Sequence, residues 1–209
     1  GMSILEKGVK HRLSSQVYVY LGSPPVAIIG DAQYQGIPAR LPYFPDGMFV
    51  QDTNSTGPIS FIERGEKHSV SAAVYQYLGS PHLTIIPDAD YQAVSTGLQY
   101  FPDGMLVQNS SGTIHIIEGG AKHFVSYDVA AYLASLYGYP NDPPAVAISD
   151  SQFNAIPTGL PYFPTGMVVV DATTLAVSII KNGEKCLLSA VIYQAIGAPQ
   201  EFEIPDAQY

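Results

Sequence analysis

Polar and apolar residues alternate in three short runs, Ile59-Ser60-Phe61-Ile62, Ile114-His115-Ile116-Ile117 and Val177-Ser178-Ile179-Ile180. A period of two is the pattern of a half-buried β-strand. Each run follows a wholly apolar one: Met48-Phe49-Val50, Met105-Leu106-Val107 and Met167-Val168-Val169-Val170. These predict a more deeply buried strand, joined to the alternating one by a polar loop of variable length at 52–58, 108–112 and 171–175. A Gly-containing turn then leads into a third strand, and Asn182-Gly183 is a strong two-residue hairpin signal. The pattern predicts a three-stranded antiparallel meander in each unit.

The period then changes. Ser14, Ser71, Ser126 and Ser189 are each followed by apolar residues on one helical face: Val17, Tyr18 and Leu21; Val74, Tyr75 and Leu78; Val129, Ala130 and Leu133; Ile192, Tyr193 and Ile196. The serines are placed to cap these short helices, and Gly22, Gly79 and Gly197 to end them. In the third copy Ala134 replaces the glycine and the apolar pattern runs on to Leu136, so that helix is expected to be longer. Further on, Asp31, Asp88, Asp150 and Asp206 stand in an Ile-x-Asp string. Each is expected to cap a second short helix that presents Tyr34, Tyr91, Phe153 or Tyr209. Tyr209 is expected to pack in the same niche as its three counterparts. Pro38 and Pro157 end this turn in two copies.

These elements recur because one string is written four times: Gly8-Val9-Lys10-His11, Gly65-Glu66-Lys67-His68, Gly120-Ala121-Lys122-His123 and Gly183-Glu184-Lys185-Cys186. From motif Ser to Asp is 17 positions in three copies and 24 in the third, which places a 7-residue insertion within 134–144. Twelve residues after the Asp, turn strings open at Tyr43-Phe44-Pro45-Asp46-Gly47, Tyr100-Phe101-Pro102-Asp103-Gly104 and Tyr162-Phe163-Pro164-Thr165-Gly166. Self-similarity at about 50 residues means a repeat architecture. The expected fold is therefore mainly β with short helices. Three to four tandem β-β-β-α modules, each closed by its second short helix, make a single repeat domain over 1–209, with boundaries near 1–42, 43–99, 100–161 and 162–209. A propeller-like closed array fits such modules, with an open solenoid as the alternative. The first module lacks a counterpart of the Met-x-Val strand.

Composition narrows the function classes. A hydrophobic share of 46% supports a real core, and only 13% charged residues argues against long disorder. A formal net charge of −9 argues against nucleic acid and against an anionic membrane surface. No apolar run reaches the ~20 residues of a membrane span, and no signal-peptide h-region is visible, which reads as cytoplasmic as written. One cysteine, Cys186, excludes an internal disulfide framework. Nucleophile-elbow, P-loop and His-Glu-x-x-His strings are absent, so no catalytic residue is assigned.

Three candidate chemistries remain. His11, His68 and His123 share one repeat position, with Cys186 in the fourth copy; they could bind zinc only by converging on one ion. The plainer reading makes each a strand side chain beside its own turn, with no metal and no cofactor. The repeated aspartates, with Asp90, suggest calcium or, more simply, helix capping. Among 15 tyrosines, Tyr43, Tyr100 and Tyr162 are the most ligand-like, since an aromatic ring offers an apolar face and a polar tip; core filling is the alternative. The candidate ligand-binding set is thus Tyr43, Tyr100, Tyr162, His11, His68 and His123. A non-enzymatic binding or interaction module is expected first. A self-assembling scaffold, forming homo-oligomers through exposed module ends, comes second, and an enzyme third.

The string from Ile116 to Ser126, with Pro157-Thr158-Gly159-Leu160-Pro161, resembles uncharacterised Gly-x-Lys-His/Arg-x-Ile/Val-Ser repeats of secreted or cell-surface bacterial proteins. The resemblance covers nearly the whole chain. It implies an accessory binding role toward a cell-envelope carbohydrate or protein ligand, and an extracellular or cell-surface location; it assigns no active site. The Asp-Ala-x-aromatic string ahead of Tyr-Phe is also similar to hemopexin-like blades, although this chain has no Trp and no closing cysteine pair.

Overall fold

Two consecutive residues with positive φ make the tight hairpin turn of each module: Lys7-Gly8, Arg64-Gly65, Gly119-Gly120 and Asn182-Gly183, with φ between 49° and 83°. This is the turn whose twist matches that of the flanking strands, and it requires a glycine in the second place. Each turn joins the second and third strands of a module. The computed structural model describes residues 1–54, 57–137 and 144–204.

The chain divides into two compact units, Gly1–Tyr100 and Phe101–Tyr209. The first holds β1 (Met2–Glu6), β2 (Val9–Leu13), α1 (Ser15–Tyr20), α2 (Asp31–Gly36), β3 (Ala39–Arg40), β4 (Phe49–Asp52), β5 (Ile59–Glu63), β6 (Glu66–Val70), α3 (Ala72–Tyr77), β7 (Leu83–Ile86), α4 (Asp88–Ala93) and β8 (Ser95–Thr96). The second holds β9 (Leu106–Gln108), β10 (Ile114–Glu118), β11 (Ala121–Phe124), α5 (Tyr127–Tyr137), β12 (Val146–Ala147), α6 (Asp150–Ala155), β13 (Val168–Asp171), β14 (Val177–Lys181), β15 (Glu184–Leu187), α7 (Ala190–Ala195) and β16 (Glu201–Ile204).

The protein is mainly β with short helices, and each module owns one small sheet. The orders are β1-β2-β3, β7-β4-β5-β6-β8, β11-β10-β9-β12 and β15-β14-β13-β16. The antiparallel meander is present, but it is not the whole sheet. The segment after the Ser-capped helix adds a parallel strand: β7 on β4, β12 on β9 and β16 on β13. A second short parallel strand follows the second helix, as β3 on β2 and β8 on β6. The expected meander is thus the centre of a mixed sheet in the second, third and fourth modules. Leu83-Thr84-Ile85-Ile86 has strand chemistry, yet its partner lies across a helical crossover that local pattern does not reveal.

Directly opposed residues in a sheet share a face. In the second module Phe49, Phe61 and His68 point one way, while Val50, Ser60 and Ser69 point the other, as do Ile62 and Lys67. Helix α3 lies on the first face, where Tyr75 meets Phe49 with ring centroids 5.9 Å apart. Helix α4 lies on the second, where Tyr91 and Ser60 share a 2.8 Å hydrogen bond.

The core of each unit sits between modules. Val17 of α1 is fully buried in one cluster with Met48, Val50, Ile62 and Ile86 of the following sheet. In the second unit, Val129 and Leu133 of α5 pack with Met167, Val169, Ile180 and Ile204. The first helix of one module thus covers the sheet of the next.

Helix ends follow the expected chemistry with one exception. The hydroxyls of Ser14, Ser71, Ser126 and Ser189 accept from the backbone N–H three residues on, at 3.2 to 3.3 Å. Gly22, Gly79 and Gly197 take φ of 79°, 78° and 90° just past the helix ends. Helix α5, the third copy of the Ser-capped helix, has 11 residues, against 6 in the other copies. Asp31, Asp88 and Asp150, however, are the first helical residues, and Gly30, Pro87 and Ser149 hold the cap position. Asp206 and Tyr209 lie outside the described residues, as does most of the expected insertion.

Candidate functional site

The repeated lysine, passed over in the sequence reading, is the main polar strut of the module. Lys67 is buried on the α4 face of its sheet, and its ammonium donates to the Tyr91 and Val94 carbonyls at 2.8 Å each. Lys122 reaches the Ile156 carbonyl at 2.5 Å, and Lys10 the Tyr34 carbonyl at 2.6 Å. In all three copies the ammonium also stands 4.0 to 4.8 Å from the centre of the aromatic ring on that helix. The lysine therefore ties off the carbonyls at the end of the second helix. Burial lowers the pKa of Lys67 and of Lys122.

The histidines do a similar task on the other face. His11, His68 and His123 each donate from Nδ1 to a backbone carbonyl, Leu41, Leu98 or Leu160, at 3.0, 2.7 and 2.8 Å. A carbonyl only accepts, so Nδ1 carries the hydrogen. The imidazole lies against Gly97 in the second module and Gly159 in the third; a Cβ on either glycine would stand 2.7 or 2.6 Å from Nδ1. Among the described residues no three His, Cys, Asp or Glu side chains gather to hold a metal ion. Cys186, the fourth member of the series, is exposed and unpaired with any cysteine.

The aspartates hold loops. Asp88 accepts from Thr53 and Asn54 at 2.9 and 2.5 Å, and Asp150 from the Ser110 amide and hydroxyl at 3.1 and 2.6 Å. The Ser110 bonds lower the Asp150 pKa. Asp90 is buried and paired with Arg12, an ion pair joining the third strand of one module to the second helix of the next.

Tyr43, Tyr100 and Tyr162 are all half-buried. Each donates its backbone N–H to the third strand, at Arg12, Ser69 and Phe124, over 2.9 to 3.0 Å. The Tyr100 ring packs on Phe61 with centroids 4.2 Å apart, and burial raises the Tyr162 pKa, with Glu118 adding to it. Tyr43 differs. It meets His11 edge-on at 6.3 Å, and both border an open groove of about 580 Å³. Phe44, Pro45, Asp46 and Arg64 line the same groove. Of the six sequence candidates, His11 and Tyr43 are brought together here, while His68, Tyr100, His123 and Tyr162 are not part of its wall. Arg64 could not have been found by motif, because it is a turn residue of the next module.

No known protein family matches the chain, and no curated protein does. Among solved structures, the periplasmic assembly from the ESX-5 inner membrane complex is similar at a TM-score of 0.25 and 12% identity, over 78% of this chain and 58% of that one. The intact ESX-5 inner membrane complex is similar at a TM-score of 0.22 and 12% identity, over 79% of this chain and 50% of that one. The chain thus spans only about half the length of either. At TM-scores this far below one half, neither likeness bears on fold or role. No described helix is long and apolar enough to cross a membrane.

Proposed function

We propose that this chain is a non-enzymatic repeat protein that acts as a binding module, and that the groove beside His11 and Tyr43 takes a cell-envelope carbohydrate. The observation that carries this reading is the groove's wall. It sets the rings of Tyr43 and Phe44 and the prolines Pro42 and Pro45 beside the Arg64 cation and the carboxylates of Asp46 and Glu6. Aromatic faces cover the apolar face of a sugar ring while carboxylates accept from its hydroxyls. The repeated Lys, His and Ser side chains are spent on the module's own backbone, which supports a structural rather than catalytic role for them. The reading carries with it an extracellular or cell-surface location. It also takes the array as a repeat stack, open or propeller-like, held by the helix-on-sheet joint found inside each unit.

Isothermal titration against soluble envelope polysaccharides and short peptides tests it. Polysaccharide binding is expected, weakened about tenfold or more by Tyr43→Ala, the ~1.4 kcal/mol of one lost stacking contact. Tyr43→Phe should keep most of it. Arg64→Ala, at an exposed turn, weakens binding without touching the core. Binding indifferent to all three variants, or binding to peptides alone, would overturn the assignment.

A further inference from the structure

Equivalent positions of the four modules differ in exposure in one systematic way. Three residues after the motif Ser, Val17, Val74 and Val129 are fully buried, whereas Ile192 is 50% exposed. Ile196, one turn on, is 48% exposed where its counterpart Leu133 is 4%. Nine residues before the motif Ser, Ile62, Ile117 and Ile180 are 0%, 0% and 4% exposed, whereas Leu5 is 59%. Ile29 is likewise 41% exposed where its counterpart Ile86 is 0%.

These positions are the two halves of one joint. Inside each unit the helix half, Val17 or Val129, is seated on the sheet half, Ile62 with Ile86 or Ile180 with Ile204. The sheet half recurs uncovered on the first module and the helix half recurs uncovered on the fourth. The chain therefore presents uncovered both members of a contact that it already makes twice within itself.

We propose that these two surfaces bind each other between molecules: helix α7 of one copy docks on the β1-β2 sheet of a second copy, repeating the internal joint. This goes beyond carbohydrate binding and does not depend on it. The occupant is argued from the internal joint, because the shape that covers Ile62 and Ile86 is a helix of this same repeat. The first sheet lacks counterparts of β4 and β7, which carry Val50 and Ile86 in the internal joint. The contact between molecules is accordingly smaller than the one within them, and assembly depends on concentration. The two surfaces are different, so the interface is heterologous and grows head to tail instead of closing as a two-fold dimer.

Sedimentation equilibrium of the 209-residue chain over a wide concentration range is the test. Mass should rise above the 22.4 kDa monomer with concentration and pass that of a dimer. Leu5→Asp and Ile192→Asp replace exposed residues, so each folds, and each alone should stay monomeric. Mixed together, they should form a dimer and nothing larger, since one retains only the helix half and the other only the sheet half. A monomer at every concentration overturns the proposal, and so do single variants that still assemble or a mixture that stays monomeric. Circular dichroism of each variant excludes loss of fold as the cause.

Discussion

Replacing Lys67 by Met removes the ammonium and keeps the apolar stem, so it isolates what the strut does. The Val94 carbonyl loses its donor at a site where the lysine is only 8% exposed, whereas the Tyr91 carbonyl still accepts from the Val94 N–H at 3.4 Å. The orphaned Val94 acceptor costs about 1–3 kcal/mol, and the charged hydrogen bond lost at Tyr91 adds about 1–2 kcal/mol, giving about 2–5 kcal/mol. Part of this is recovered because the substitution also ends the burial of an ammonium, the effect that lowers the Lys67 pKa. The net cost is set at about 2–4 kcal/mol, or about 4–16 °C in melting temperature at ~2–4 °C per kcal/mol. Lys122→Met strips one carbonyl at a 6% exposed site and should cost about half as much. Lys10 also serves one carbonyl, but half in solvent, where water replaces it; Lys10→Met should cost less than about 1 kcal/mol. Thermal and urea unfolding of the three variants, followed by circular dichroism, gives the order. A Lys67→Met protein as stable as Lys10→Met, or more stable than the parent, would refute the strut. It would place this site with the buried ions whose apolar replacement is neutral or favourable.

Two further outcomes follow from the other repeat positions. In the third module the Ser–Tyr pair seen as Ser60 and Tyr91 is replaced by His115 and Phe153, in edge contact at 4.8 Å. Burial, then the charges of Lys122 and His123, lowers the His115 pKa. The unfolded chain takes up this proton near pH ~6.5 and the folded chain only below that, so stability falls as pH drops through ~6.5, by at most ~1.4 kcal/mol per pH unit. The double variant His115→Ser with Phe153→Tyr should flatten that slope in urea titrations at successive pH values, and an unchanged slope would show that another group sets it. Gly159→Ala should cost about 1–3 kcal/mol by pressing on the His123 ring, and His123→Ala in the same chain should relieve part of the loss. Gly36→Ala, in the helix and with nothing within 4 Å of the new Cβ, should cost nothing and raise stability by up to about 1 kcal/mol in the same melting assay.

Local chemistry made much of the module legible before any coordinates. The two-residue turns at Arg64-Gly65 and Asn182-Gly183, the capping of short helices by Ser71 and Ser189, and the glycine stops at Gly79 and Gly197 depend on neighbours within a few residues. The repeat itself showed that His68 and His123 serve one purpose, and a latch to the nearby backbone is what a repeated structural part does. The Asp88 and Asp150 reading missed by one residue because either of two adjacent positions can satisfy a helix start, and only the loop at Thr53 or Ser110 decides where the carboxylate turns. The rest is non-local. That Leu83–Ile86 pairs with β4 across a helix, that Lys67 reaches the Val94 carbonyl at the end of α4, and that Tyr43 alone of its series borders the groove are facts about segments dozens of residues apart. Above all, the repeat pattern assigns Leu5 and Ile62, or Val17 and Ile192, the same part. Only the tertiary structure separates them, because burial of an apolar face depends on whether another module's face is there to cover it.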